Sequence, residues 1–191
     1  MKIAVIYFTN TDVTGMLAKS IIKGVKEQSS SMEILEHKIS GKEILEGRFV
    51  NSSLFENLLT CDAIIMGSPT YMGSVSAQFK AFADASSEYW SDQRWASKVA
   101  AGFTSGSALN GDQSSSLNYL VTLASQHGMY WVGLDLAHGY RDRGLNRLGC
   151  QLGVVAQSYD GNVHSIDKLS AQYLGKRVAS VVDKLSLKHN K

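Results

Sequence analysis

Thr9, Thr11 and Thr14, with Asn10 between the first two, crowd hydroxyl and amide groups into the six residues TNTDVT (9–14). The run lies between an apolar stretch, KIAVIYF (2–8), and a helical pattern that begins at Gly15. A strand that turns straight into a helix offers free backbone N–H groups and the positive end of the helix dipole. Hydroxyls at 9, 11 and 14 complete a cage for a phosphate without any Lys or Arg. A plainer reading is that Thr11 or Asp12 caps the helix, since both residue types favour that position.

Two more segments rich in glycine and small polar residues follow, SPTYMGS (68–74) and TSGSALNGDQ (104–113). The elements around them decide whether the three can meet. KIAVIYF, MEILEHKI (32–39), CDAIIMGS (61–68), KVAAGFTS (98–105) and MYWVGL (129–134) read as five strands. GMLAKSIIKGVKEQ (15–28), SVSAQFKAFADAS (74–86), SSLNYLVTLASQHG (115–128) and IDKLSAQYLGKRVASVVDKL (166–185) read as helices, with a short one within SSLFENLL (52–59). Gly128 is a C-cap for the third of these and Asp167 suits the N-terminus of the last. Strands alternating with helices imply an α/β three-layer sandwich, a five-stranded parallel sheet covered on both faces. With right-handed crossovers the natural strand order is 2-1-3-4-5, and ligands bind at the carboxyl ends near strands 1 and 3. The loops after strands 1, 3 and 4 then share one edge. Pro69, the chain's single proline, falls in the second of them.

The bulk properties narrow the function further. A length of 191 residues fits one domain spanning 1–191. Hydrophobic content of 44% and charged content of 19% describe an ordinary globular protein, and a net charge of +2 gives no basis for nucleic-acid binding. Cys61 and Cys150 have neither metal-ligand nor redox spacing, so a reducing cytoplasm is expected. MKIAVIYF is too short an apolar run for a signal peptide, and no segment approaches the ~20 apolar residues of a membrane span.

Several chemistries lack their motifs. There is no Gly-x-x-x-x-Gly-Lys-Ser/Thr loop, no Gly-x-Gly-x-x-Gly after the first strand and no Gly-x-Ser-x-Gly elbow. The five histidines form no ligand pattern, so no metal is expected. A phosphoacceptor receiver would end its third strand on aspartate, whereas this one ends Met66-Gly67-Ser68.

TNTDVT resembles the flavodoxin phosphate loop Thr-x-Thr-Gly-x-Thr at Thr9, Thr11 and Thr14. IIMGSPTYMGSVSAQFKAFAD (64–84) resembles the Gly-Thr-Pro-Thr-Arg-Phe-Gly-Asn-Met-Ser segment of WrbA-type NAD(P)H:quinone oxidoreductases, members of the flavodoxin-like superfamily. GFTSGSALNGDQ, TLASQHGM and Trp90 continue the likeness in order. The resemblance implies a flavodoxin-like fold and an FMN site. Thr9, Asn10, Thr11, Asp12, Val13 and Thr14 would hold the phosphate. Pro69, Thr70, Tyr71, Met72 and Gly73 would border the isoalloxazine ring. Thr104, Ser105, Gly106 and Ser107, continuing to Gly111, would form the opposite wall. Gln126 and His127 stand where the family often has two histidines, the first near a neighbouring subunit's flavin. Trp90 and Tyr71 would border the acceptor.

By the same resemblance FMN carries the chemistry, with no side-chain catalytic residue. NAD(P)H is the donor, a quinone-like molecule the acceptor, and the protein a homo-oligomer, dimer or tetramer. The alternatives are a flavodoxin-like electron carrier without NAD(P)H activity, and a non-enzymatic flavin-binding scaffold. Three departures matter: Asp12 for the loop glycine, Tyr71 for arginine, and Ala108-Leu109-Asn110 for a glycine-richer segment.

Overall fold

A computed structural model describes residues 1–139 and 144–189. The elements follow in chain order: Lys2–Tyr7 (β1), Val13–Gln28 (α1), Glu33–Lys38 (β2), a hairpin of Ile44–Leu45 (β3) and Arg48–Phe49 (β4), and Ser52–Leu59 (α2). Then come Ala63–Tyr71 (β5), Ser74–Val75 (β6), Ala77–Ala85 (α3), Val99–Gly106 (β7), Gln113–Gln126 (α4), Tyr130–Trp131 (β8), Val154–Gln157 (β9) and Ser165–His189 (α5).

β2, β1, β5 and β7 lie side by side, all parallel, and β8 and β9 follow on the far side of β7. β8 pairs with Val99 and Ala100, and β9 with the stretch from Phe103 to Gly106. These two pieces share the fifth position, so the order is the expected 2-1-3-4-5, a flavodoxin-like sheet. The strand expected over 129–134 is thereby corrected. Only Tyr130–Trp131 joins the ladder before the chain leaves the sheet. Gly133 lets the departing chain pass close to Gln151. A Cβ on Gly133 would stand 2.2 Å from the Gln151 carbonyl oxygen, and Leu134 N–H already bonds that oxygen at 2.8 Å.

Alternation along the strands sorts the core into two layers. Ile3, Val5 and Tyr7 face α1 and α5, packing with Leu17, Ile21, Leu174 and Val178. Ala4 and Ile6 face the other way, towards Leu58 of α2, Phe79 and Phe82 of α3 and Leu120 of α4. Each such fully buried aliphatic or aromatic side chain contributes about 1.5–3 kcal/mol relative to exposure. α1 and α5 approach through a glycine pair. A Cβ on Gly24 would stand 1.9 Å from the Gln172 oxygen, and one on Gly175 would stand 2.1 Å from the Ile21 oxygen. Trp95 and Trp131 pack against the sheet as aromatic bulk, Trp95 fully buried. Among the described residues no helix is long and apolar enough to cross a membrane.

Candidate functional site

The first loop ends in a helix that starts two residues earlier than the sequence pattern suggests. Asp12 is its N-cap residue at φ 63°, ψ 2°, with no side-chain capping bond. Aspartate is one of the few residues that visit this left-handed region, so it does what the family's glycine does. Met16 N–H bonds the Asp12 carbonyl at 2.8 Å, while the first-turn N–H groups of Val13, Thr14 and Gly15 precede any intrahelical acceptor. The Asp12 carboxylate lies over that turn without bonding any of its N–H groups. Its Oδ1 lies 2.2 Å from where a Gly15 Cβ would stand, and its Oδ2 pairs with Lys19 at 3.4 Å. Capping by Asp12 is therefore overturned.

Thr9 is 4% exposed, and its buried Oγ1 has no hydrogen-bond partner. An orphaned hydroxyl beside a helix N-terminus is the group an anion would satisfy. Thr14 Oγ1 instead lies 2.9 Å from Ser105 Oγ and ties the first loop to the third. Asn10 and Thr11 are exposed. Beneath them, burial and the Glu36 carboxylate, 2.9 Å away, push the Tyr7 phenol well above its usual range, so Tyr7 stays neutral.

The second segment is a hairpin rather than a loop. β5 runs on through Pro69 to Tyr71, turns at Met72 (φ 48°) and Gly73 (φ 74°), and returns as β6. Two successive positive φ angles define the tight hairpin turn that matches strand twist, which is why glycine stands second. Pro69 is tolerated inside a strand because β1 pairs with β5 only as far as Gly67. Composition alone suggests a loop here, because proline and glycine punctuate most loops.

A directed hydroxyl chain braces the hairpin. Thr104 donates to the Ser68 carbonyl at 2.7 Å, so Thr70 donates to Thr104 at 2.8 Å and Ser116 donates to Thr70 at 2.8 Å. Thr104 is fully buried and serves as this brace, underneath the wall it was expected to form. Ser116 gives no such signal in the sequence, because a lone serine on a helix carries none. In the third loop Gln113 performs the same service. Its Oε1 accepts from Gly111 N–H at 2.9 Å and its Nε2 donates to the Ala108 carbonyl at 2.6 Å. Asp112 starts α4 at φ 59° without a side-chain cap, repeating the device of Asp12.

The three segments line one cavity of about 250 Å³ at the carboxyl edge of the sheet, which includes Thr11, Val13, Pro69, Thr70, Tyr71, Ser105, Gly106 and Ser107. Ser158, Tyr159 and Gly161 join them, and sequence reasoning had no motif by which to find these three.

Trp90, Gln126 and His127 are brought together elsewhere, in a cavity of about 580 Å³ between α3 and α4. The reason is helix length. α4 begins beside the third loop and runs 14 residues, so its end lies about 20 Å away. His127 is 2% exposed; Ser86 donates to the Ala83 carbonyl and so accepts from His127 Nε2 at 2.9 Å. Burial pushes the imidazole down to about 4, which leaves it neutral at pH 7. Trp90 is 48% exposed at the mouth of this second cavity. Among the described residues no group of three or more His, Cys, Asp or Glu side chains is placed to hold a metal.

Fold and site together define a flavodoxin-like protein in which a helix N-terminus and two adjoining walls meet at one sheet edge. The chain belongs to the NADPH-dependent FMN reductase family, whose model matches residues 1–137. It is 38% identical over 161 residues to flavodoxin FldP of Pseudomonas aeruginosa, covering 82% of this chain and 81% of that protein. It is 34% identical over 198 residues to an NAD(P)H dehydrogenase (quinone) of Archaeoglobus fulgidus, covering 96% and 98%. Among solved structures, a WrbA-like flavodoxin from Agrobacterium tumefaciens superposes with a TM-score of 0.74 at 35% identity, covering 96% of this chain and 98% of that one.

Proposed function

We propose that this protein is an FMN-dependent oxidoreductase that passes electrons from NAD(P)H to a quinone-like acceptor. The observation that carries this reading is the convergence at the carboxyl edge of a helix N-terminus, the partnerless buried Thr9 hydroxyl and two walls separated by a narrow cavity. The fit to FMN is chemical. The first turn of α1 and Thr9 offer donors to a phosphate, and hairpin 69–73 and loop 105–111 offer backbone groups along a flat ring. Bound FMN supplies a centre that accepts hydride from a nicotinamide and releases two electrons. The protein's residues have the remaining tasks. Thr9 and the N–H groups of residues 13–15 anchor the phosphate, and the Ser116–Thr70–Thr104 chain keeps the hairpin wall rigid. Tyr71, at the rim, borders the entering acceptor.

In this reading the protein is a homo-oligomer, dimer or tetramer. The exposed Trp90 and Gln126 stand opposite another subunit's flavin, while the buried His127 holds the end of α4 through Ser86. Residues 1–191 act as one domain, and the cytoplasm is the proposed compartment.

A second reading, an electron carrier without NAD(P)H activity, is favoured by the 38% identity to a protein named flavodoxin. The net charge of +2 weighs against it, because docking on basic redox partners calls for an acidic surface. Against the scaffold reading, the Asp12 backbone adopts the left-handed conformation that glycine favours, and its carboxylate pairs with Lys19 at the surface.

Anaerobic titration of FMN-loaded protein with NADH and NADPH, followed by a quinone, decides among these. Bleaching of the flavin band by either nucleotide and its return with quinone is the expected result. FMN bound but reduced only by a partner reductase establishes the carrier. FMN bound but reduced by neither a nucleotide nor a partner reductase leaves the flavin-binding scaffold, and failure to retain FMN at micromolar concentration overturns the site itself.

A further inference from the structure

Turn 158–161 follows β9, and β9 is locked to the strand that carries the third loop. Ser105 registers with Ala156 and Gly106 with Gln157. Ser158 N–H donates to the Gly106 carbonyl at 2.9 Å, and Gln157 Nε2 donates to the Ser107 carbonyl at 2.7 Å. The turn itself is built. Gly161 sits at φ 86°, and the Asp160 carboxylate accepts from Asn162 N–H at 2.9 Å. Its distance from residues 105–107 is thus set by backbone pairing rather than by loose contact.

Two side chains of this turn lack an explanation within the chain. Ser158 Oγ is buried without a hydrogen-bond partner, a state that costs stability unless something else satisfies it. Tyr159 is 90% exposed, although it lines the cavity that Thr11 and Tyr71 also line. On its other side it borders a second recess with Arg147 and His164, so the residue stands as a partition. A tyrosine ring left in water at a cavity mouth is apolar area available to a ligand.

We infer that turn 158–161 is a fourth wall of the flavin site, with the Ser158 hydroxyl bonded to the ribityl chain and the Tyr159 ring lying over it. This rests on the FMN reading above. The phosphate already has the donors of α1 and Thr9, and the ring has the hairpin. The polyol between them is left to the flank beyond β7. A serine hydroxyl both donates and accepts, as a chain of hydroxyl groups requires.

The test uses the apoprotein with Ser158→Ala, Tyr159→Ala, Tyr159→Phe and Thr9→Val variants. Each is titrated with FMN and with riboflavin by flavin fluorescence, and the melting temperature of each is read with and without FMN. Ser158→Ala weakens both flavins alike, by about tenfold, the size of one lost hydrogen bond. The same variant melts no lower than wild type without FMN, because an unsatisfied hydroxyl has been removed, and gains less from FMN. Tyr159→Ala weakens both flavins, and Tyr159→Phe keeps wild-type affinity. Thr9→Val weakens FMN more than riboflavin. Wild-type binding with Ser158→Ala within twofold for both flavins overturns the fourth wall alone. A loss confined to FMN overturns the ribityl contact. Wild type that binds neither flavin overturns the FMN reading, and this inference with it.

Discussion

Thr14 Oγ1 and Ser105 Oγ lie 2.9 Å apart in the buried floor of the site, 91 residues apart in sequence. This contact joins the first turn of α1 to the end of β7 and sets the spacing between cradle and opposite wall. Thr14→Val removes it while keeping the shape of the side chain. The apoprotein is expected to lose about 1 kcal/mol, the ordinary worth of one hydrogen bond. FMN affinity falls by a larger factor, about tenfold or more, because the cradle loses both a hydroxyl and its register. Urea unfolding and fluorescence titration measure the two effects. Equal losses in both return Thr14 to a purely structural role.

Asp12 holds the backbone position that glycine fills in related loops, at φ 63°. Asp12→Gly keeps that backbone and deletes a carboxylate from the mouth of an anion site. FMN is expected to bind several-fold more tightly at low ionic strength, with the gain shrinking as salt screens the charge. Riboflavin, which lacks the phosphate, is expected to show no gain. The Lys19 pair is exposed and contributes little, so the melting temperature stays near wild type. A variant that binds both flavins equally better contradicts the electrostatic account.

His127 supplies a pH signature of folding. Its imidazole is pushed down to about 4 from an ordinary value near 6.5, because burial disfavours the charged form. Above pH 6.5 both folded and unfolded chains hold it neutral. Between 6.5 and 4 the unfolded chain binds the extra proton, so stability falls as pH falls, by on the order of 3 kcal/mol at full extent. Denaturant unfolding at pH 7.5, 6 and 5 measures the slope. His127→Gln is expected to flatten it, and an unchanged slope assigns the acid sensitivity to other groups.

Gly24 and Gly175 let α1 and α5 pass with backbones nearly touching. Gly175→Val places carbon where the Ile21 oxygen already stands and forces the helices apart. A loss of about 1–3 kcal/mol or more follows from overpacking. Thermal melting tests it, and a variant as stable as wild type contradicts the close approach.

Trp90 stands in the cavity between α3 and α4, away from the cradle of its own chain. Trp90→Ala is expected to retain FMN with unchanged affinity and to slow turnover of a quinone acceptor. Loss of FMN binding by isolated chains contradicts the placement.

The meeting of the three segments at one edge is legible in the sequence, because its signals are local. TNTDVT carries its hydroxyls in consecutive order, and alternation of strands with helices dictates that loops after parallel strands meet at one edge. The helices follow from periodicity, and four of the strands from short apolar runs rich in β-branched and aromatic residues or from alternation. Short-range signals fail where a long-range contact decides. MYWVGL has the composition of a full strand, yet Gly133 meets Gln151 and the chain departs after Trp131. SPTYMGS has the composition of a loop, yet it completes β5 and turns as a hairpin.

The amino-acid sequence by itself determined the parallel sheet, the crowding of hydroxyls in the first loop and the family resemblance, since each rests on residue types within a dozen positions. Only the tertiary structure decided which of those residues face one cavity. It took Thr104 under the wall, carried Gln126 and His127 to the far end of α4, and brought Ser158 and Tyr159 to a site some fifty residues upstream. The physical reason is that hydrogen-bond partners and burial are properties of distance in space. Thr9 has the same hydroxyl as Thr104, and only packing leaves one orphaned and the other satisfied.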